Sequence, residues 1–315
     1  MASQGLDTVH SFLSHRLGVG RAHSHHGELL QGCFGADRGR SVRALVTLPC
    51  PGRGSVAVFQ PEEPGATAVT VVPSWRGKAA AAAELTGRRL TGGPVGGRLT
   101  VQSDLRPGLG LGSSTSDVTA AIRAVADSLR ATLADEEVAE IAVAAEGAAD
   151  STMIARQPVL FAHREGVVLE HLPALPPLLV VGCDTAEGDG GVDTLALPPA
   201  EYSDAEAALF PVLLDGLRTA CRDQDVAAVA EIADHSGRIN ERFLPKRGLA
   251  RIRAAAGRTG GLGVQVAHSG TIAGVIFDDR DPGAGRRARD CADLLSEAGF
   301  HAVSLFRPVE REEAR

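Results

Sequence analysis

Between Asp104 and Ala124 the chain reads DLRPGLGLGSSTSDVTAAIRA, a run in which small residues and hydroxyls are concentrated. Glycines at 108, 110 and 112 permit tight turning and leave backbone N–H groups unobstructed. Ser113, Ser114 and Thr115 follow, and an amphipathic helix then begins. Free amides at the positive end of a helix dipole form an anion site, and the hydroxyl of Ser113 or Ser114 can reach a phosphate or its Mg2+. The run is not Walker A, because no lysine follows the glycines, and it lacks the third glycine position of a dinucleotide fingerprint. A flexible Gly/Ser linker would not run directly into so regular a helix.

Other candidate groups are less specific. His23, His25 and His26 cluster near the start, where strand alternation would place His23 and His25 on one face. No further ligand follows at a recognised metal spacing, so a polar site rim or loop role is expected. His268 lies in the run VAHSGT and reads as a hydrogen-bonding residue of a tight turn. Trp75 and Tyr202, the only Trp and Tyr, read as packing residues.

The elements that must position these groups can be traced by periodicity. Strands are expected at Val42–Leu48, Ser55–Phe59, Val69–Val72 and Leu99–Gln102, and again at Val159–Ala162, Val167–Glu170, Leu178–Gly182, Gly263–Ala267, Ile272–Asp278 and Ala302–Phe306. Helices are expected at Lys78–Thr86, Ser113–Thr132, Asp135–Ala149 (with Asp135 as N-cap), Glu201–Arg222, Asp225–Arg242, Gly248–Arg258 and Gly285–Ala298. Strands and helices come in blocks, which implies α+β layers rather than regular βαβ alternation. A boundary near Arg156–Pro158 divides the chain into 15–157 and 158–310.

Composition narrows the class. With 315 residues, 44% of them hydrophobic and 23% charged, the chain can form about two domains with real cores. Its apolar runs are far shorter than the ~20 residues of a membrane span. The net charge of −7 argues against nucleic acid as a partner. Five scattered cysteines without CxxC spacing, and no signal-peptide stretch over Met1–Arg21, point to reduced thiols and a cytoplasmic setting. Lysine occurs only at 78 and 246, so a phosphate site here would rest on amides, a helix dipole and Mg2+, with no lysine obligatory.

The segment Pro107–Ser114 (PGLGLGSS) resembles the nucleotide-phosphate motif of the GHMP kinases. Gly20–Gly32 (GRAHSHHGELLQG) resembles that family's first motif and Gly260–Phe277 (GGLGVQVAHSGTIAGVIF) its glycine-rich third motif, in the same order. The finer runs HGELLQG, SSTSDV, EGAADSTM, GGVDTLALP, LPKRGL and VAHSGT are similar to the L-threonine kinases of cobalamin assembly within that family.

The resemblance implies an α+β, two-domain GHMP kinase fold, with an N-terminal ribosomal-S5-like ATP-binding domain and a C-terminal α/β sandwich domain. It implies ATP and Mg2+ as cofactors and transfer of the γ-phosphoryl group to the hydroxyl of a small amino acid, L-threonine being favoured. Homoserine, another amino alcohol, or a catalytically inactive ligand-binding protein are the alternatives, and a homodimer is left open. Pro107, Gly108, Leu109, Gly110, Leu111, Gly112, Ser113, Ser114 and Thr115 would hold ATP. Ser114 and Glu146 would hold the metal, and Asp150 would act as general base or merely orient the alcohol. A turn aspartate is the bland reading of Asp150, and a solvated helix-surface carboxylate that of Glu146. Glu28 would meet a substrate ammonium, and Thr271 with the amides of His268, Ser269 and Gly270 a carboxylate. His26, Gln31, Asp117, Asp193 and Thr194 complete the expected substrate set, although Asp117 beside a triphosphate would need a cationic partner.

Overall fold

The computed structural model describes residues 16–35, 41–62, 65–154, 157–186 and 200–309, so Asp193 and Thr194 lie outside the described residues. Among these residues the spine is a sheet of ten strands: β1 (Gly18–Phe34), β2 (Val42–Pro61), β3 (Val69–Val72), β4 (Gly97–Ser103), β5 (Val159–Ala162), β6 (Val167–His171), β7 (Leu178–Asp184), β8 (Gly263–Val266), β9 (Ile272–Asp278) and β10 (His301–Phe306). The order is β10-β7-β9-β8-β1-β2-β4-β3, with β5 and β6 attached through β2. Every pairing among them is antiparallel except β3 with β4, so the architecture is α+β, as the block pattern implies.

Helices α1 (Gly77–Thr91), α2 (Ser113–Ser128) and α3 (Asp135–Glu146) cover the β1–β2–β4 part of the sheet. Helices α4 (Asp204–Asp223) and α5 (Val226–Asn240) bury Phe210, Leu217 and Val229 against β1, β2, β7 and β9. Helices α6 (Leu249–Thr259) and α7 (Ala284–Glu297) pack on β7, β8 and β9. Just past residue 157, Val159 and Phe161 of β5 share one cluster with Val118, Ile122 and Val138 of α2 and α3. None of the helices among the described residues is long and apolar enough to cross a membrane, and all five cysteines are buried and unpaired.

Most elements match their periodicity, and the differences are instructive. The expected strands Val42–Leu48 and Ser55–Phe59 are one 20-residue strand, because β1, whose run lacks a regular alternation, pairs along its length. Register shifts at His23/Ser24 and beyond break the alternation, so His23 is exposed while His25 is fully buried. Helix α2 stops at Ser128 instead of 132, where Arg130 takes a left-handed φ of 54°. Ala134, not Asp135, is the N-cap of α3, and its N–H donates to the Glu137 carboxylate at 3.1 Å. The same helix ends at Glu146 because Gly147, at φ 84°, turns the chain back and donates to the Val143 carbonyl.

Strand β1 lies directly on α2, and a Cβ on Gly20 would overlap the backbone at Ala120. Such overpacking costs about 1–3 kcal/mol. Gly20→Ala should therefore lower the unfolding free energy in urea by that amount. Gly257→Ala, on α6 with open space at its Cβ, should leave stability equal or raise it by up to ~1 kcal/mol. Equal midpoints for the two variants would show that the β1–α2 contact is not tight.

Candidate active site

The glycine loop is built by conformation. Gly108, Gly110 and Gly112 have φ of 81°, 83° and 67°, a region closed to most side chains, and Gly112 is the N-cap of α2. The intervening Leu109 and Leu111 turn inward and form a small core with Leu105, Ala267 and Ile272. The Leu109 carbonyl accepts from the amides of Thr271 (2.9 Å) and Ile272 (3.2 Å). A side chain on Gly110 would overlap the Ser269 carbonyl, and one on Gly270 would overlap the backbone of Leu109 and Gly110. The loop and the turn 268–271 thus interlock through close backbone contacts over a shared apolar core.

A cavity of about 250 Å³ opens above this junction, lined by Gly108, Gly110, Gly112, Ser113–Thr115, Glu146, Asp150 and the turn. Lys78, at the start of α1, is on its wall, a position that the missing Walker lysine gave no reason to expect. Pro107 and the two leucines do not line it. Ser114 Oγ donates to Glu146 at 2.5 Å and Thr115 Oγ1 donates at 2.8 Å. Glu146 is buried, not a solvated surface carboxylate, and burial pushes its carboxyl up to about 7 against the pull of the two hydroxyls. A desolvated carboxylate with two hydroxyl oxygens is a hard-oxygen donor set that suits Mg2+.

On the opposite flank a chain of charges runs through the protein. His25 Nε2 lies 2.9 Å from Asp150 Oδ2, and the backbone N–H of Asp150 donates to Thr115 Oγ1. His268 Nε2 approaches the other Asp150 oxygen at 3.8 Å, while its Nδ1 meets Glu28 at 2.7 Å and its N–H donates to Glu28 at 2.5 Å. Burial alone would raise the Asp150 carboxyl, but the neighbouring His25 and His268 hold it well below the usual range. Burial alone would lower His268, but the charge and hydrogen bond of Glu28 lift it to about 9. His25, Glu28 and Asp150 bring ligand atoms within 4.8 Å of one another; Asp150 pairs with His25 Nε2 and Glu28 with His268, while His25 Nδ1, 3.8 Å from Glu28, has no hydrogen-bond partner.

Sequence expectation and geometry part at several residues. Glu28 has both oxygens occupied by His268, and Thr271 gives its hydroxyl to Asp184 at 2.5 Å. His26 is buried away from both cavities, bonded to Gln265 and packed on Phe306, with burial lowering it to about 3. Asp117 does have a cationic partner: it pairs with Arg76 and accepts from Ser55 Oγ at 2.6 Å, and it lines neither cavity. The three neighbouring histidines diverge, His23 bonding to the Pro51 carbonyl on the surface. Gln31 lines a second cavity, which adjoins the first through Ala148, His163 and His268.

This arrangement and topology define the GHMP kinase fold. Residues 77–157 match the family model "GHMP kinases N terminal domain", and the homoserine kinase of Cytophaga hutchinsonii superposes with a TM-score of 0.71 at 14% identity, over 92% of this chain and 94% of that one. In fold, and over this segment, the chain is similar to the GHMP kinases. It is 29% identical over 181 residues to the L-threonine kinase of Citrobacter freundii, covering 58% of this chain and 62% of that protein's length. It is 25% identical over 213 residues to the L-threonine kinase of Salmonella typhimurium, covering 68% of each.

The raised His268 implies a pH signature. Between about pH 6.5 and 9 the folded protein holds a proton on His268 that the unfolded chain lacks, so stability from this pair is full below about 6.5 and is lost as pH rises through 9. The advantage of the parent over His268→Gln should shrink by on the order of 3 kcal/mol across this window. Urea unfolding of both proteins at pH 6.5 and 9.5 measures it, and a constant difference would contradict the charged pair.

Proposed function

We propose that this protein is an ATP-dependent kinase that transfers the γ-phosphoryl group to the side-chain hydroxyl of a small amino acid, with L-threonine as the favoured acceptor and O-phospho-L-threonine as product. The observation that carries this reading is one cavity in which the glycine loop and α2 N-terminus face a buried Asp150, with Ser114, Thr115 and Glu146 on the other flank. The similarity to two L-threonine kinases supports the choice of acceptor.

On this reading the loop amides of 108–112 and the dipole of α2 hold the phosphates. Lys78 adds charge at the mouth. Ser114, Thr115 and Glu146 would hold Mg2+, which supplies charge neutralisation on the transferring group. The acceptor oxygen bonds to the γ-phosphorus as the bond to the β–γ bridging oxygen breaks, and ADP leaves with that electron pair. Asp150 aims the hydroxyl by accepting its hydrogen bond. With its carboxyl held acidic by two histidines, it is a weak base and takes the proton only as the new P–O bond forms. The expected division at 157/158 then places the phosphate-holding residues in the first part of the chain, and residues of both parts close the acceptor side. The intact loop, Glu146 and Asp150 speak against an inactive binding protein. Homoserine is the second acceptor to test, since a homoserine kinase shares the fold.

Incubation with Mg-ATP and L-threonine, L-homoserine or L-serine, with products assigned by phosphorus NMR, tests the reading. O-phosphothreonine is expected as the preferred product. Asp150→Asn should lower kcat by about 10²–10⁴-fold with little change in KM for ATP. Absence of any phosphorylated amino acid would overturn the proposal.

A further inference from the structure

The second cavity, about 140 Å³, adjoins the first, which Asp150 lines, through Ala148, His163 and His268. Arg43, His163, Arg164, Lys246 and His268 are on its wall, and among the described residues that line it none is acidic. Lys246 is the decisive group. It is 5% exposed, and its ammonium donates to a single described acceptor, the Leu244 carbonyl at 2.8 Å. An ammonium has three N–H groups, so two are left for whatever occupies the cavity. Glu241 does not neutralise it by contact, because that carboxylate accepts from the Lys246 backbone N–H at 3.0 and 3.1 Å. Burial lowers the lysine to about 8, the direction expected where a cation is held without a bonded anion.

Its neighbours fix the shape of the wall and leave donors free. Asn240 is spent: its Nδ2 donates to the Gln31 and Ser236 carbonyls and its Oδ1 accepts from Tyr202 at 2.6 Å. The Tyr202 ring carries the Arg43 guanidinium over its face at 6.0 Å, and Arg43 also donates to the Ala200 carbonyl. His163 has a buried Nδ1 with no partner, and burial beside His268 holds it neutral, lowered to about 3. A buried, under-bonded lysine, an arginine held in place and an orphan imidazole nitrogen around one small space are costly unless an anion completes them.

We propose that this cavity binds the carboxylate of the acceptor, with Lys246 and Arg43 as the residues that read it. The inference rests on the kinase reading above only for the identity of the acceptor. It replaces the expected role of Thr271, whose hydroxyl is bonded to Asp184, and it places the acceptor hydroxyl at Asp150 and its acid group beyond His268.

The test uses the full chain and three probes: L-threonine, L-threoninamide and L-threoninol, with L-homoserine and L-serine as further acids. Calorimetric titration reads binding, and steady-state kinetics read transfer. The acid should bind at least ~30-fold more tightly than the amide or alcohol, the scale of charge-assisted hydrogen bonds. Lys246→Met should collapse that ratio towards one, raising KM for the acid about 30-fold while kcat and KM for ATP change little. Arg43→Gln should reduce the ratio in the same sense, and carries the test if Lys246→Met unfolds the protein. A ratio near one in the parent, no binding of any of the acids, or a full ratio retained in both variants would overturn the inference. Acid-selective binding lost in the variants but without phosphoryl transfer would sink the kinase reading and leave the cavity assignment standing. Transfer to acid and amide alike would do the reverse.

Discussion

Gly270 sits so close to the backbone of Leu109 and Gly110 that a methyl group on either turn would force them apart, and the geometry of the site hangs on that contact. The glycine loop alone has no reason to hold one shape: three residues at positive φ are accessible to glycine but not preferred over others. Two amides of the 268–272 turn donating to the Leu109 carbonyl, and three loop leucines tucked under it, remove that freedom. The same contact sets the place of His268, which follows directly on Ala267 of the small leucine core. The glycine loop and the turn 268–271 are therefore registered to each other by close backbone contact over a shared apolar core.

Carboxylates and imidazoles alternate at the junction: Glu28 meets His268, and Asp150 lies between His268 and His25. Buried ions are expensive singly, and a chain of this kind is tolerated because each member supplies the field that the next one needs. The consequence is that the Asp150 carboxylate is fixed in place and kept acidic by the imidazoles beside it. Glu28 acts at one remove, through His268. Glu146 is the counterpart beside Ser114 and Thr115, a carboxylate that burial pushes up to about 7.

Much of the glycine loop's geometry was legible in the chain because its information is local. Glycine spacing, three hydroxyls and a helix start lie within a dozen residues, and backbone conformation acts over that range. The pairing of Ser114 with Glu146 was legible only through resemblance, since 32 residues and a helix boundary intervene. Alternation groups His25 with its neighbours because it treats a strand as regular, and bulges at His23/Ser24 and after His25 redirect those side chains. Lys246 left one faint trace, its rarity: each of the two lysines lines one of the two cavities.

The sequence by itself determined the class of fold, most element positions and the turn of the glycine loop into a helix, since these follow from periodicity and glycine conformation that act within a few residues. Only the tertiary structure decided which charged groups meet. His25 lies 125 positions from Asp150, and His268 lies 240 from Glu28. Burial then set their protonation, and no local pattern reports it, because the desolvation of a group depends on every element packed around it.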